Sequence, residues 1–391
     1  MTVSELRQIE SEKSSNKSEF LKGNDEFYMI SIPIAGVFIS VIFWGLGVFD
    51  ISWEVGPLAL FVSSLILMEW SHIIFSFVLF FSLPELKEWR ESKDTVAKSG
   101  WMRGYGPTAR LVIIGAVLTV MCYFLQISDM TRTLPGVISI ILFLELLGPT
   151  QHAVAQMRGI SLCYNSNIKN NITFSALEVK QAATCENIER KLFNLLLAGE
   201  IFYWLPPVFN LGHINIPGLE ISRTVGAVAI IASSAGLIIN ALYFPHHKTT
   251  RKFLFLTRVI LYPMTMLSPV GIVNRRLGHG TEYLMIFRRM INGSRIEKKK
   301  VRKIYFLAIS LSIIYILMLS PTYMDFAIED YFPTILKSMI VVTIVLRYAH
   351  YYMDSIMFKM SHAATRNIIG PLLVGVTNDT HTNYSENGKG S

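Results

Sequence analysis

Long apolar blocks, separated by polar stretches, dominate the pattern of this chain. They are continuous blocks rather than the apolar–polar alternation of a half-buried strand. Several blocks reach about 20 residues, the length that a helix needs to cross the roughly 30 Å hydrocarbon core of a bilayer. The pattern predicts membrane segments at 28–49, 55–83, 108–128, 134–157, 192–210, 223–244, 253–273, 304–320 and 331–358, with a shorter apolar stretch near 277–287.

Composition indicates the same class of protein. The 391 residues are 51% hydrophobic and 16% charged, whereas soluble domains carry about 25% charged residues. The predicted fold class is all-α, a polytopic transmembrane helical bundle of about eight to ten membrane segments. In this scheme 1–27 is a polar cytoplasmic segment, 28–375 is a single transmembrane domain and 376–391 is a disordered polar tail.

Basic residues orient the predicted bundle. The net charge is +8, and Lys and Arg lie mainly in the stretches 84–110, 158–191, 245–252 and 274–303. Loops rich in Lys and Arg stay in the cytoplasm, so both termini are predicted to be cytoplasmic, in an inner or plasma membrane. This distribution favours membrane orientation over nucleic acid as the explanation of the positive charge.

One segment breaks the alternation of sides. A full crossing at 253–273 would place the basic stretch 274–303 outside the cytoplasm. The same segment contains Arg258, Pro263 and Pro269, which do not suit a continuous helix facing lipid. We therefore predict that 253–290 forms a broken hairpin, either re-entrant or a helix with a short return, buried in protein or lining a cavity.

Ionisable side chains inside the predicted spans are the candidate functional residues, because such groups are costly in a membrane and usually functional. Most pair a histidine with a carboxylate one helical turn away. Glu-x-x-His supplies ligands to di-iron helix bundles, and histidine with carboxylate suits iron, manganese or zinc. The predicted metal ligands are His72, His152, His279, His350, Glu69 and Glu145, and the predicted catalytic carboxylates are Asp354 and Glu282.

The predicted orientation brings the histidines to one membrane level. His72, His152 and His350 fall toward the cytoplasmic ends of spans that run inward, and the hairpin opens from the cytoplasm. His246 and His247 fall there too, in a basic loop that favours a plain surface position. We expect the His350 and His152 side chains to lie within about 10 Å of each other, close enough to share a site of one or two metals.

Other chemistries find little support in the sequence. The three cysteines form no CxxC pair, which argues against a zinc ribbon or a disulfide framework. The sequence contains neither a phosphate-binding Gly-x-x-x-x-Gly-Lys-Ser/Thr motif nor a Gly-x-Ser-x-Gly nucleophile motif. Nucleotide and serine-hydrolase chemistry are therefore not indicated.

The chain resembles the histidine-motif integral membrane oxygenases and desaturases. The resemblance rests on Glu69/His72, His152, His246-His247, His279/Glu282 and His350/Asp354. The usual His-x-x-x-His and His-x-x-His-His boxes of that family do not occur here, so carboxylates would replace some ligands. The resemblance implies a helical bundle that holds a di-iron site on its cytoplasmic side. It also implies oxidation of an apolar or amphipathic substrate that enters from the membrane lipid.

Two other functions stay open beside a metal-dependent oxidoreductase. A proton-coupled transporter would use buried histidines and carboxylates together with broken segments such as the one at Pro263 and Pro269. The sequence shows no inverted repeat, which disfavours it. A membrane acyltransferase needs a single buried histidine as its base. It would make one histidine essential, whereas a metal site would make several essential.

Overall fold

The computed structural model describes residues 71–91, 105–127, 135–171, 173–211, 216–246, 270–324, 333–357 and 368–370, and the single residues 31, 34, 35, 38, 259 and 372. Throughout these residues the fold is all-helical, without a strand. The helices, in chain order, are α1 Ser71–Ser82, α2 Pro84–Glu91, α3 Pro107–Ile127, α4 Pro135–Asn171, α5 Ala176–Leu211, α6 Leu219–Tyr243, α7 Val270–Gly293, α8 Lys298–Met324 and α9 Pro333–Met357.

Local sequence fixes where several of these helices begin. Proline is the first residue of α2, α3, α4 and α9, a position where its fixed φ suits the helix and its missing N–H is not needed. The start of α5 is a capping box: the backbone N–H and hydroxyl of Ser175 both donate to Glu178 Oε2 at 2.8 Å. These devices satisfy backbone groups that the first helical turn leaves without partners.

Two helices extend well beyond the apolar blocks that predicted them. The block 134–157 lies in α4, which continues to Asn171, and the block 192–210 lies in α5, which begins at Ala176. With 37 residues, α4 is about 55 Å long at 1.5 Å per residue. Hydropathy detects only the apolar part of such a helix, so the polar continuation was missed.

The predicted break does not occur within the described part of 253–290. Val270–Gly293 is an uninterrupted helix that carries His279 and Glu282 on regular backbone. Pro263 and Pro269 lie outside the described residues, as do the predicted terminal segments 1–27 and 376–391. Helix α7 therefore presents its polar side chains at ordinary helical spacing.

Helix α6 is long and apolar enough to cross a membrane, alone among the described helices in meeting both criteria, with a mean hydropathy of 2.1 over its most apolar window. Its residues are sorted in the opposite way to those of a soluble helix. The buried face is small or polar in large part, with Gly226, Ser233, Ser234 and Asn240. Large apolar side chains face outward, namely Ile221, Val225, Val228, Ile231, Ile239 and Leu242.

The small residues allow α5 and α6 to pack with their backbones close together. A Cβ atom on Gly226 would lie 2.6 Å from the carbonyl oxygen of Gly199 and closer still to the backbone nitrogen of Tyr203. Farther along this antiparallel pair, the Asn240 side-chain amide donates to the carbonyl oxygen of Cys185 at 3.0 Å. Close approach of small residues is a common way to join helices where lipid surrounds them.

Four helices of the bundle, α1, α4, α7 and α9, run in the same direction. On α4 and α9, Gly148 faces Tyr348, and His152 farther along faces Asp354. On α4 and α7, His152 contacts His279, and Gln156 one turn later contacts Glu282. On α1 and α7, His72 contacts His279, while Glu85 after α1 contacts Arg295 after α7. Residues at equal depth on these helices are therefore brought to one layer.

Glu85 ties α2 to the end of α7. Its carboxylate is buried and accepts hydrogen bonds from the Ser294 hydroxyl and the Arg295 backbone N–H, both at 2.7 Å. The Arg295 guanidinium contacts Glu85 at 3.2 Å and Glu88 at 2.6 Å. Burial raises the pKa of the Glu85 carboxyl, but these hydrogen bonds outweigh burial and hold that pKa below its usual value.

Candidate metal centre

Four histidines, one from each of the parallel helices, meet in the interior of the bundle. They are His72 on α1, His152 on α4, His279 on α7 and His350 on α9, and all four are buried. One nitrogen from each ring can be chosen so that these atoms all lie within 4.8 Å of one another. Each histidine occupies the face of its helix that points to the other three, so the centre depends on all four helices.

The rings form a closed cycle of edge-to-face contacts. Their centroids are 4.6 Å apart for His72 and His279, 4.8 Å for His279 and His152, 4.9 Å for His152 and His350, and 4.7 Å for His350 and His72. The expected proximity of His152 to His350, within about 10 Å, is therefore confirmed. The four rings touch, so the space among their nitrogens suits a small ion.

Asp354 lies against two of the four rings. Its Oδ2 atom is 3.4 Å from Nε2 of His152, and its Oδ1 atom is 3.7 Å from Nδ1 of His350. Neither ring nitrogen of His350 makes a hydrogen bond within the described part of the chain. A buried imidazole without hydrogen bonds is costly, and a metal ion would supply the missing partner.

Glu282, the other predicted catalytic carboxylate, lies one turn from the histidine layer. It is 1% exposed and accepts a hydrogen bond from the Gln156 side-chain amide at 3.1 Å. The same amide nitrogen lies 3.4 Å from the carbonyl oxygen of His279. Gln156 thus links α4 to α7 beside the centre, and the catalytic roles of Glu282 and Asp354 stay predictions.

A second polar layer follows the histidine layer. Four residues after each histidine comes another buried polar side chain: Ser76, Gln156, Tyr283 and Asp354. The Tyr283 hydroxyl interacts with both Ser76 and Asp354. Because the four helices are parallel, this repeated spacing of four residues stacks one polar layer on the other.

Sequence reasoning did not assign a role to Ser76 or Tyr283, although the shared spacing of four residues was a signal that could have found them. It also missed Tyr351, whose ring stacks on His152 with centroids 4.7 Å apart and an interplanar angle of 30°. Tyr351 follows His350 on α9, and its ring packs against His152 on α4. Aromatic contact of this kind restricts the orientation of the imidazole.

The remaining predicted site residues are not part of the described cluster. Glu69 lies outside the described residues, and Glu145 is described only as part of the backbone of α4. His246 lies at the end of α6, where its Nε2 is 2.9 Å from Glu178 Oε1 and its ring stacks on Phe174. His246 thus belongs to a separate surface contact, and His247 lies outside the described residues.

No family model, curated protein or solved structure matches this chain. Neutral imidazoles are the metal-binding form of histidine, and burying several positive charges within about 5 Å of one another would be strongly unfavourable. The four-histidine group could hold a metal ion.

Proposed function

We propose that this chain is an integral membrane oxidoreductase that uses one iron ion, bound by His72, His152, His279 and His350, to oxidise an apolar or amphipathic substrate. The observation that carries the proposal is the convergence of four buried imidazoles from four helices on one point. A transporter or an acyltransferase has no need of four touching histidines. A metal centre does, because the ion is held by bonds of only about 2 Å.

The size of the cluster favours one ion over two. Two metals in a shared centre lie about 3.5–4 Å apart, and bonds of about 2 Å at each end would spread the ligand atoms over roughly 7–8 Å. The candidate nitrogens lie within 4.8 Å of one another. The two buried carboxylates, Asp354 and Glu282, are then placed to orient the ligands or to exchange protons with substrate.

The donor set also bears on the identity of the metal. Four imidazoles complete the tetrahedral shell of zinc, which is typical of a structural site. An ion that prefers six ligands, such as iron, keeps two positions open when it is bound by the same four nitrogens. Oxidation of a substrate by dioxygen requires open coordination positions on the metal. Iron bound by these four nitrogens would have them, so we propose iron.

The outer surface supports a location in the membrane. Outward-facing apolar side chains are not confined to α6: they continue on α3 with Val112 and Val120, and on α8 with Phe306 and Ile313. Apolar surface this extensive is rare on soluble monomers. In the proposed multi-pass arrangement, the C-terminal ends of α1, α4, α7 and α9 face the cytoplasm, and the centre is within reach of lipid-like substrates.

Metal analysis of the purified full-length protein tests the proposal. We expect about one equivalent of iron in the wild type and loss of that iron in each of the variants His72→Ala, His152→Ala, His279→Ala and His350→Ala. The control is His246→Ala, a histidine that lies outside the cluster and should leave the iron content unchanged.

Four results would contradict the proposal in different ways. Less than about half an equivalent of any transition metal, with the four variants unchanged, would refute the metal centre. One equivalent of zinc would indicate a structural centre. Loss of function in a single histidine variant, with the other three mild, would favour the acyltransferase, and proton-coupled uptake into metal-free proteoliposomes would favour the transporter.

A further inference from the structure

Tyr283 lies at the junction of three of the four helices that build the histidine centre. Its side chain is fully buried, and its ring centroid is 5.4 Å from that of His72 and 5.7 Å from that of His350. Its hydroxyl interacts with Ser76 on α1 and with Asp354 on α9. A phenol hydroxyl that is removed from water needs such polar partners.

Asp354 is the partner through which Tyr283 reaches the ligands. The two oxygens of this carboxylate are directed to different histidines, Oδ2 to Nε2 of His152 and Oδ1 to Nδ1 of His350. A carboxylate that contacts one nitrogen of an imidazole fixes the tautomer and the orientation of the ring, and leaves the other nitrogen for the metal. The Asp354 carboxylate is therefore close enough to two of the four candidate ligands to orient both.

We propose that Tyr283 is a positioning residue, whose hydroxyl donates to Asp354 and holds that carboxylate against His152 and His350. The inference rests on the proposed metal centre and deepens it. Tyr283 does not ligate the ion in this arrangement. It connects α7 to α9, and through Ser76 to α1, so that the rings keep the spacing that one ion requires.

A double-mutant cycle tests the role of Tyr283. Tyr283→Phe keeps the ring and removes only the hydroxyl, and we expect the affinity for iron to fall by about 10- to 100-fold, the usual effect of losing such a partner. Asp354→Asn should have an effect of similar size. Because Tyr283 acts through Asp354, the iron affinity of the double variant should be about equal to that of the single variant with the lower affinity.

The measurements are iron affinity by competition with a chelator and the visible absorption bands of the cobalt(II)-loaded protein. A change in ligand orientation should shift the cobalt bands in Tyr283→Phe, and a merely structural loss would not. The matched control is Tyr203→Phe, which removes the hydroxyl on α5, away from the centre, that accepts a hydrogen bond from Arg223 at 3.3 Å. It should leave both the affinity and the bands unchanged.

The outcomes separate this inference from the proposed function. A wild-type protein without metal refutes the proposed function. If the wild type holds iron, two results overturn only the positioning role. Either Tyr283→Phe holds iron as tightly as the wild type, or the effects of the two substitutions on iron affinity multiply in the double variant. Should the Phe variant not fold, Asp354→Glu displaces the same carboxylate and should weaken iron binding and shift the bands; unchanged values there would overturn the inference.

Discussion

The α5–α6 pair and the histidine centre join helices in opposite ways. Between α5 and α6 small residues bring the backbones together, so that a Cβ atom on Gly226 would lie 2.6 Å from the carbonyl oxygen of Gly199. At the centre the helices are held apart by four imidazoles and the polar layer that follows them. The first interface combines close packing with hydrogen bonds such as the one from Asn240 to Cys185. The second keeps buried polar groups that packing does not explain.

This contrast identifies the histidine centre as the interface whose buried polar groups are costly to the stability of the fold. Close packing of small residues gains dispersion contacts without burying unsatisfied polar groups. Buried imidazoles and carboxylates are destabilising unless each finds a partner. A bound cation would supply partners to these groups and strengthen the second interface.

The largest expected effect is on the centre. In the wild type, removal of the metal by a chelator should lower the melting temperature markedly, because a ligand at about 100 times its Kd stabilises the folded state by about 2.7 kcal/mol. His350→Ala should abolish this difference, since it deletes one of four ligands. Differential scanning fluorimetry with and without chelator measures both. An equal response of wild type and variant to chelator would contradict a metal held by His350.

Substitution at the glycine contact between α5 and α6 should lower the stability of the fold without affecting metal binding. Gly226→Ala forces a Cβ against backbone atoms of α5, and we expect a loss of about 2–3 kcal/mol of stability from overpacking. The metal content per folded molecule should not change. Gly236→Ala is the control, because a Cβ there meets the side chain of Leu192, which can move, rather than backbone. An equal loss in both variants would mean that backbone contact is not what holds the pair.

Much of the four-histidine group was predicted by applying two rules for membrane helices to the sequence. Charged or polar residues avoid lipid, and basic loops fix the direction of each span. Together these rules predict one membrane level for His72, His152 and His350. The all-helical fold followed from the length of the apolar blocks. The metal itself stays a prediction.

What the sequence did not reveal depends on contacts between helices. The stacking of Tyr351 on His152 and the interaction of Tyr283 with Asp354 follow from how α4, α7 and α9 are rotated against one another. Hydropathy does not encode that rotation. The polar halves of α4 and α5 were missed for a different reason, since helices can continue past an apolar block when capping and packing support them.

Acid should weaken a third contact, the one between α2 and the end of α7. The pKa of Glu85 is lowered in the folded state, so its contribution to stability is present above the ordinary carboxyl value of 4.5 and is lost as pH falls through the lower folded value. Glu85→Gln should cost about 1–3 kcal/mol at neutral pH and should flatten the acid side of the stability curve. Urea unfolding at several pH values measures this; a variant that keeps the wild-type acid dependence would exclude Glu85 as its source.

The smallest expected effect tests whether the centre tolerates closer helix packing. Gly148 lies one turn before His152, and a Cβ there would be 3.2 Å from Cε1 of Tyr348 and 3.5 Å from Cε2 of Tyr351. Gly148→Ala should therefore displace the tyrosine that stacks on His152 and weaken iron binding by only about two- to fivefold, less than loss of a hydrogen-bonding partner of a ligand.

The control is Gly159→Ala, two turns beyond His152 on the same helix, where an added Cβ meets nothing within 4 Å. Both substitutions raise helix propensity by about 0.5–1 kcal/mol, so a difference in iron affinity between them isolates the contact with the tyrosines. Equal affinity in the two variants would show that the Tyr351 ring does not set the orientation of His152. The ordering of that ligand would then rest on its contacts with Asp354 and with the rings of His279 and His350.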